Sequence, residues 1–140
     1  MFILDTNVLS NAMASDPAPA VAAWIAAQPP DLLFTVSVCQ AEILSGIAVL
    51  PQGRRRASLE AAANAMFGED FAGRVLPFDS EAAIAYADVF SARRRAGRPA
   101  ATADLMIEAI ARTKGASVVT RDIGDFEDCG LTLIDPWTTG

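Results

Sequence analysis

Short apolar segments alternate with longer segments of helical periodicity along this 140-residue chain. The apolar segments are bounded by turn residues, and they are residues 1–4, 32–38, 75–78, 116–120 and 131–134. The segments between them predict helices, including an alanine-rich helix over residues 57–66 and a late helix over residues 103–114. Strands that alternate with helices are typical of a parallel sheet with helices on both faces. The pattern therefore predicts one domain of the α/β class.

Local signals refine three of the helices. The helix after residues 32–38 is expected to start at Cys39 and to run through Leu50. Asp79 or Ser80 is expected to cap the next long helix, whose predicted apolar face consists of Ala83, Ile84, Ala87 and Phe90. Thr102 is expected to cap the helix over residues 103–114, and Gly115 to end it.

The composition restricts the chemistry that the chain can perform. It contains no histidine, which excludes the Ser-His-Asp and Cys-His machineries and the HExxH zinc site. Its two cysteines, Cys39 and Cys129, lack the paired CxxC spacing of a structural zinc or dithiol site, and Cys39 is expected to be a buried filler. An enzyme of this composition must use carboxylates, hydroxyls, amides and arginines, together with hard cations such as Mg²⁺ or Mn²⁺.

The charge distribution limits the partners. A net charge of −6 argues against non-specific attachment to nucleic acid, but it is compatible with a nuclease that has a local acidic site. Arginines cluster at residues 54–56 and again at residues 93–95 and 98. Each cluster either keeps a helix end soluble or contacts a phosphate or an acidic partner. The apolar runs are too short to span a bilayer and no signal peptide is recognisable, which predicts a cytoplasmic protein without a membrane partner.

Four acidic residues follow predicted strands or begin predicted helices. They are Asp5, Glu42, Asp104 and Asp122. Each has a structural interpretation by itself, as a helix cap, a partner of a helix dipole or an Asx-turn. Because ligands collect where the carboxyl ends of parallel strands meet, the four acids are also expected at one edge of the sheet. Clustered carboxylates repel one another unless a cation neutralises them, and Mg²⁺ at such a site can support phosphodiester hydrolysis.

Several segments together resemble a known family. They are Ile3-Leu4-Asp5-Thr6-Asn7-Val8-Leu9, Ala41-Glu42-Ile43-Leu44, Leu76-Pro77-Phe78-Asp79, Thr102-Ala103-Asp104-Leu105, Thr120-Arg121-Asp122-Ile123-Gly124-Asp125-Phe126 and Asp135-Pro136-Trp137. In this order they resemble the PIN-domain ribonucleases, and more narrowly the VapC toxins of bacterial toxin–antitoxin pairs, in particular the FitB-like branch. The similarity runs from the N-terminus to Trp137 and so covers nearly the whole chain.

The resemblance implies a fold and a function. The fold would be a single PIN domain over residues 1–140, a three-layer α/β/α sandwich around a short, mostly parallel sheet. The activity would be that of an endoribonuclease dependent on Mg²⁺ or Mn²⁺, acting as the toxin of a type II pair. The partners would be RNA as substrate, a second copy in a homodimer and a VapB- or FitA-like antitoxin, through which alone the chain would meet DNA.

The resemblance also implies a role for each acid. Asp5, Asp104 and Asp122 would surround the metal, and Glu42 would complete the acidic quartet through water. Supporting positions are Thr6, Asn7, Thr120 and Asp125. Asp125 is an alternative to Asp122, which we favour because it lies nearer the end of its strand. Asn7 either contacts the substrate or caps the first helix.

Other interpretations remain open from the residues alone. If Asp5 were a nucleophile, the chain would be an aspartyl-phosphate phosphatase, although Asn7 stands where that chemistry usually has a second acid. The chain would alternatively be a non-catalytic module that holds a DNA-binding antitoxin. Trp24 and Trp137 are expected to be core or interface residues rather than base-stacking platforms, because neither adjoins the acidic loops. The apolar residues Val21, Trp24, Ile25, Ile47 and Leu50 either pack the core or receive an antitoxin helix.

Overall fold

A five-stranded parallel sheet forms the centre of the molecule. The computed structural model describes residues 1–126 and 129–138. The strands are β1 (Phe2–Leu4), β2 (Leu33–Val36), β3 (Val75–Leu76), β4 (Ser117–Val119) and β5 (Leu133–Ile134). Their order is β3-β2-β1-β4-β5, and every neighbouring pair is parallel. The predicted parallel α/β architecture is thus confirmed.

Six α-helices surround the sheet in the described residues. They are α1 (Thr6–Met13), α2 (Pro19–Ala26), α3 (Ser37–Ala48), α4 (Arg54–Ala65), α5 (Ser80–Arg95) and α6 (Thr102–Lys114). A π-helical turn over Met66–Asp70 extends α4, and 3₁₀ turns cover Pro30–Leu32 and Ile123–Phe126. None of the helices in these parts of the chain has the length and apolar character needed to cross a membrane.

The register of the central strands brings three chain segments to one edge. In β1, Ile3 pairs with Phe34 of β2 on one side and with Val118 of β4 on the other. The Thr35 hydroxyl donates to the Leu4 carbonyl oxygen at 2.8 Å, which ties β2 to β1 near their carboxyl ends. Because the three strands run in the same direction, the residues after Leu4, Val36 and Val119 emerge together.

Several helix boundaries differ from the predicted ones. β2 ends at Val36 and α3 already begins at Ser37, two residues before the expected start. The arginines at residues 54–56 lie in the first turn of α4 rather than in a connecting loop. Thr102 is the first residue of α6, and Ala101 before it makes no side-chain cap, so the predicted Thr102 cap is wrong. Gly115 ends α6 in a left-handed conformation with φ 62°, which confirms the predicted stop.

The predicted apolar face of α5 is wrong. Asp79 caps the helix as expected, since its Oδ1 accepts the Ala82 amide at 2.9 Å. The buried residues are however Ala82 and Val89, whereas Ile84 is 71% exposed and Phe90 44% exposed. Apolar residues occur around much of α5, so periodicity alone does not identify the face that packs.

The apolar residues of α2 and α3 pack mainly into the core. Val21 and Ile47 are buried, and Trp24, although only partly buried, packs edge-on against Phe2 with ring centroids 5.3 Å apart. Ile25 lines a cavity of about 750 Å³ between the first, second and fourth helices and the sheet. Most of the apolar residues of α2 and α3 therefore pack the core, and the cavity lined by Ile25 lies next to them.

Candidate functional site

The candidate site is anchored at the carboxyl end of β1. The Asp5 amide donates to the Val119 carbonyl oxygen at 3.1 Å, which holds the end of β1 against the end of β4. Oδ1 of Asp5 accepts the Val8 amide at 3.2 Å, so the carboxylate caps α1. The residue is only 6% exposed. A buried acid is thereby fixed in place by the strand before it and the helix after it.

Glu42 reaches the site from α3. Its Oε1 accepts a hydrogen bond of 2.7 Å from the Thr6 hydroxyl on α1. The two residues are 36 positions apart in the sequence, but α1 and α3 each follow a strand at the same edge of the sheet. The bond restricts one carboxylate oxygen of an otherwise exposed side chain. Glu42 is therefore held, with a defined orientation, against the residue that directly follows Asp5.

Asp122 enters from the loop after β4. Its Oδ2 accepts a hydrogen bond of 2.5 Å from Nδ2 of Asn7, and its amide donates to Oγ1 of Thr120 at 3.0 Å. The Asp125 amide donates to the Asp122 carbonyl oxygen at 3.0 Å, which forms a compact turn. Asp5 caps the first helix, while the amide of Asn7 orients an acid that is 115 positions away.

The pKa of Asp104 indicates that the acids form one cluster. The residue lies in the first turn of α6 and is partly buried. Burial, together with the charges of four other carboxylates, raises the pKa of its carboxyl from 3.8 to about 6. In decreasing order of effect these are Asp125, Glu42, Asp5 and Asp122. The fold therefore brings together the four predicted acids and also Asp125.

The pKa of the buried Asp5 carboxyl is raised as well. Burial raises its pKa above the usual value, and the nearby charge of Asp122 adds to the increase. Hydrogen bonds from the Thr120 hydroxyl and the Val8 amide act in the opposite direction. Two acids in one cluster thus hold their negative charge at an energetic cost, which a bound cation would offset.

The donor set fits a hard divalent cation. Carboxylate and hydroxyl oxygens are the ligands that Mg²⁺ and Mn²⁺ prefer, and the excess of negative charge favours such an ion. In residues 1–126 and 129–138, no three acidic or cysteine side chains are close enough to enclose a metal.

Comparison with known proteins identifies the family. The family model described as the PIN domain matches residues 2–129 of this chain. The chain belongs to the PIN domain family. It is 41% identical over 140 residues to the VapC ribonuclease Y4jK of Sinorhizobium fredii, with 98% of each chain covered. It is 33% identical over 137 residues to Toxin FitB of Neisseria gonorrhoeae, with 98% of this chain and 99% of the other covered.

A solved structure agrees with the sequence comparison. The structure of FitAB bound to an IR36 DNA fragment contains a chain that is 32% identical to this PIN domain and superposes with a TM-score of 0.92. The match covers 100% of this chain and 98% of that chain. The resemblance to the PIN-domain and VapC/FitB proteins is therefore confirmed.

Cys39 lies near Asp5 and Glu42 but remains a neutral thiol. The residue is fully buried at the start of α3. Burial raises the pKa of the thiol to about 12, and the charges of Asp5 and Glu42 contribute to the increase. A thiolate nucleophile is excluded near neutral pH. The expectation of a buried filler is confirmed.

A second charged cluster lies behind the acidic loop, and the sequence did not predict it. Glu108 of α6 is 2% exposed, and the Cys129 thiol and Nε of Arg112, at 4.0 Å, face its carboxyl group. The Arg112 guanidinium donates to the Cys129 carbonyl oxygen, and the Arg93 guanidinium donates to the Asp125 carbonyl oxygen. An acid between Ile107 and Ala109, followed at the i+4 position by an arginine, is the signal that would have indicated it.

Trp137 is closer to the acidic loop of the PIN domain than expected. The Arg121 guanidinium lies over its ring, 4.9 Å from the centroid. Trp137 packs against the core, as predicted. Because Arg121 immediately precedes Asp122, however, the premise that Trp137 does not adjoin the acidic loops is wrong. The sheet order explains the error, because β4 and β5 are neighbours and the residues after each strand emerge side by side.

Proposed function

We propose that this chain is a divalent-metal-dependent endoribonuclease and the toxin of a type II toxin–antitoxin pair. The observation that carries the proposal is the cluster of carboxylates around Asp104, which come from distant parts of the sequence and raise its pKa. Such a cluster is costly unless a cation binds there. The relative named as a VapC ribonuclease supports RNA as the substrate, and a substrate of that kind favours action in the cytoplasm.

Asp5, Asp104 and Asp122 would hold Mg²⁺ or Mn²⁺, with Glu42 completing the quartet through water. A bound divalent cation supplies Lewis-acid stabilisation of the phosphodiester and a more acidic water molecule for the attack. Among the side chains of this protein, Thr6 holds Glu42 and Asn7 holds Asp122 in position. The Thr120 hydroxyl supports both Asp5 and the amide of Asp122. These bonds limit the motion of the acids before substrate arrives.

Asp122 and Asp125 contribute in different ways. Asp122 bonds Asn7 and affects the pKa of Asp5, whereas Asp125 has the largest effect of any carboxylate on Asp104. We retain Asp122 as the ligand because its side chain is oriented by Asn7. Asp125 would then increase the negative potential without binding the ion. Asp122→Asn is expected to weaken Mn²⁺ binding more than Asp125→Asn does.

The proposed partner is a VapB- or FitA-like antitoxin, with the toxin itself a homodimer. The structure of FitAB bound to an IR36 DNA fragment supports a toxin–antitoxin complex that meets DNA. The net charge of −6 agrees with a toxin that meets DNA only through such a partner. An aspartyl-phosphate phosphatase is less consistent with the site, because Asn7 is occupied in orienting Asp122 and no acid takes its place.

The test is a Mg²⁺ titration of cleavage on total RNA with the cut ends mapped. The native chain is compared with Asp5→Asn and with Asp16→Asn, whose side chain is exposed in the loop after α1. We expect Asp5→Asn to lose metal-dependent cleavage while circular dichroism stays native, and Asp16→Asn to cleave normally. Equal cleavage by Asp5→Asn, or a phosphoenzyme trapped on the native chain, would refute the proposal.

A further inference from the structure

A small groove adjoins the acidic cluster on the side of α5 and α6. Its volume is about 280 Å³, and its lining residues are Phe90, Arg93, Arg94, Pro99, Ala100 and Leu105. Leu105 directly follows Asp104 on α6, and Arg93 donates to the backbone of Asp125. One wall of the groove therefore belongs to the helix that carries Asp104, and Arg93 in the groove is bonded to the loop that carries Asp125.

Phe90 gives this groove an aromatic wall. Its ring is 44% exposed, although the helix that carries it buries other apolar residues. It is nearly parallel to the ring of Tyr86, with centroids 6.1 Å apart and an interplanar angle of 23°, and Tyr86 in turn packs edge-on against Phe78. An exposed ring supported in this way costs little entropy when a second planar group stacks on it.

Two arginines give the groove the opposite charge to the neighbouring cluster. The Arg93 guanidinium already bonds the carbonyl oxygen of Asp125, while Arg94 is exposed at the groove. In a chain with a net charge of −6, a phosphate approaching the acids is repelled unless local cations attract it. Arg94 supplies such a cation beside the aromatic wall.

We propose that this groove binds single-stranded RNA next to the phosphodiester that is cut, with one base stacked on Phe90 and a backbone phosphate paired with Arg94. The proposal rests on the ribonuclease function proposed above and deepens it by assigning a substrate subsite. The volume is near the lower limit of small-ligand pockets, about 300 Å³, which suits a nucleotide rather than a helix of another protein.

The aromatic wall selects the strandedness of the substrate. A base in a duplex already stacks on its neighbours and offers no free face to a protein ring. An unpaired base does, and stacking on an aromatic side chain depends little on the base identity. The groove therefore favours unpaired loops and ends, and it contributes affinity rather than a sequence code.

Binding is tested in EDTA, so that cleavage does not interfere, with a fluorescent 12-nucleotide oligouridine as the probe. Phe90→Ala is compared with Ile84→Ala, and Arg94→Gln with Arg95→Gln, because Ile84 and Arg95 are exposed on the same helix but do not line the groove. We expect the Kd to rise about tenfold for Phe90→Ala and about fivefold for Arg94→Gln, with both controls within about twofold.

A second probe separates stacking from charge. With an abasic oligomer of the same length, Phe90→Ala should bind as well as the native chain, whereas Arg94→Gln should remain weaker. Unchanged affinity in Phe90→Ala, equal losses in the two controls, or no binding of oligouridine by the native chain would overturn the proposal. A change in molecular mass for Phe90→Ala would also overturn it, because the ring would then belong to an interface between copies.

Cleavage by the native chain distinguishes this proposal from the proposed function. If Mg²⁺ supports no RNA cleavage but the Kd values follow the expected pattern, the ribonuclease function fails and the RNA subsite stands. If cleavage occurs but Phe90→Ala leaves both Kd and KM unchanged, the ribonuclease function stands and the subsite fails.

Discussion

Asp104 and Glu108 lie one helical turn apart on α6, yet their surroundings are opposite. Asp104 faces four carboxylates, all of which raise its pKa. Burial also raises the pKa of Glu108, and the charges of Arg112 and Arg93 reduce that increase without cancelling it. The same helix thus carries one acid that is surrounded by other acids and another whose charge two arginines partly compensate.

The difference indicates what each acid contributes. An acid paired with arginines is a structural element, and Arg93 and Arg112 use their remaining donors to hold backbone carbonyls of the segment that carries Asp125 and Cys129. An acid surrounded by acids stabilises nothing by itself and becomes favourable only when a cation binds. We therefore expect changes at Asp104 to affect activity most strongly, and changes around Glu108 to affect stability most strongly.

The largest expected effect is the loss of cleavage in Asp104→Asn. The substitution removes a proposed ligand of the metal, and we expect a decrease in Mg²⁺-dependent RNA cleavage of at least about a hundredfold. Glu108→Gln on the same helix is the matched control and should remain within about threefold of the native rate. A comparable decrease in both variants would show that α6 needs both acids for its structure, and the comparison would fail.

The general position of the site could be predicted from the sequence because it depends on chain direction. Asp5 and Asp122 each follow a strand, and parallel strands deliver such residues to one edge whatever the packing details. The bonds from Thr6 to Glu42 and from Asn7 to Asp122 depend instead on side-chain directions across distant segments, which no local pattern contains.

The errors have equally specific causes. The apolar face of α5 was misassigned because Ile84 and Phe90 are larger than the residues that are buried, Ala82 and Val89. The burial of Glu108 is not evident from the sequence because a single acid within an apolar helix is usually exposed. Its burial depends on Arg112 of the same helix and also on the tertiary approach of Arg93, which no local pattern contains.

A smaller effect, on stability rather than on cleavage, is expected from Arg112→Met. The substitution deprives buried Glu108 of its nearest cation and leaves the Cys129 carbonyl without its donor. We expect a decrease of about 2 kcal/mol in the free energy of unfolding at pH 7, measured by urea denaturation. Because the pKa of Glu108 should rise further in the variant, the deficit should shrink as the pH falls and the carboxyl is protonated.

Lys114→Met is the control for Arg112→Met, since it removes an exposed cation from the same end of α6. It should change the free energy of unfolding by less than about 0.5 kcal/mol. A deficit in Arg112→Met that is independent of pH would contradict a role in neutralising Glu108. In that case the lost bond to the Cys129 carbonyl oxygen would account for the whole effect.

The smallest expected effect is a gain in stability at the acidic cluster without metal. The pKa of Asp104 in the folded chain, about 6, exceeds its ordinary value of 3.8, so the folded state binds this proton more tightly than the unfolded state. Stability therefore falls as the pH rises from about 4 to about 6, and the full penalty persists above that range. In EDTA at pH 7, Asp104→Asn should be about 1 kcal/mol more stable than the native chain, or about 4 °C in Tm.

Two further measurements distinguish this charge effect from a packing effect. At pH 4 the gain should disappear, because the native carboxyl is then protonated in the folded state and already neutral. Adding Mg²⁺ at pH 7 should raise the Tm of the native chain and leave that of Asp104→Asn nearly unchanged, because ligand binding to the folded state adds stability only where the ligand binds. A gain that persists at pH 4, or equal stabilisation of both chains by Mg²⁺, would mean that the acids around Asp104 do not form one electrostatic site.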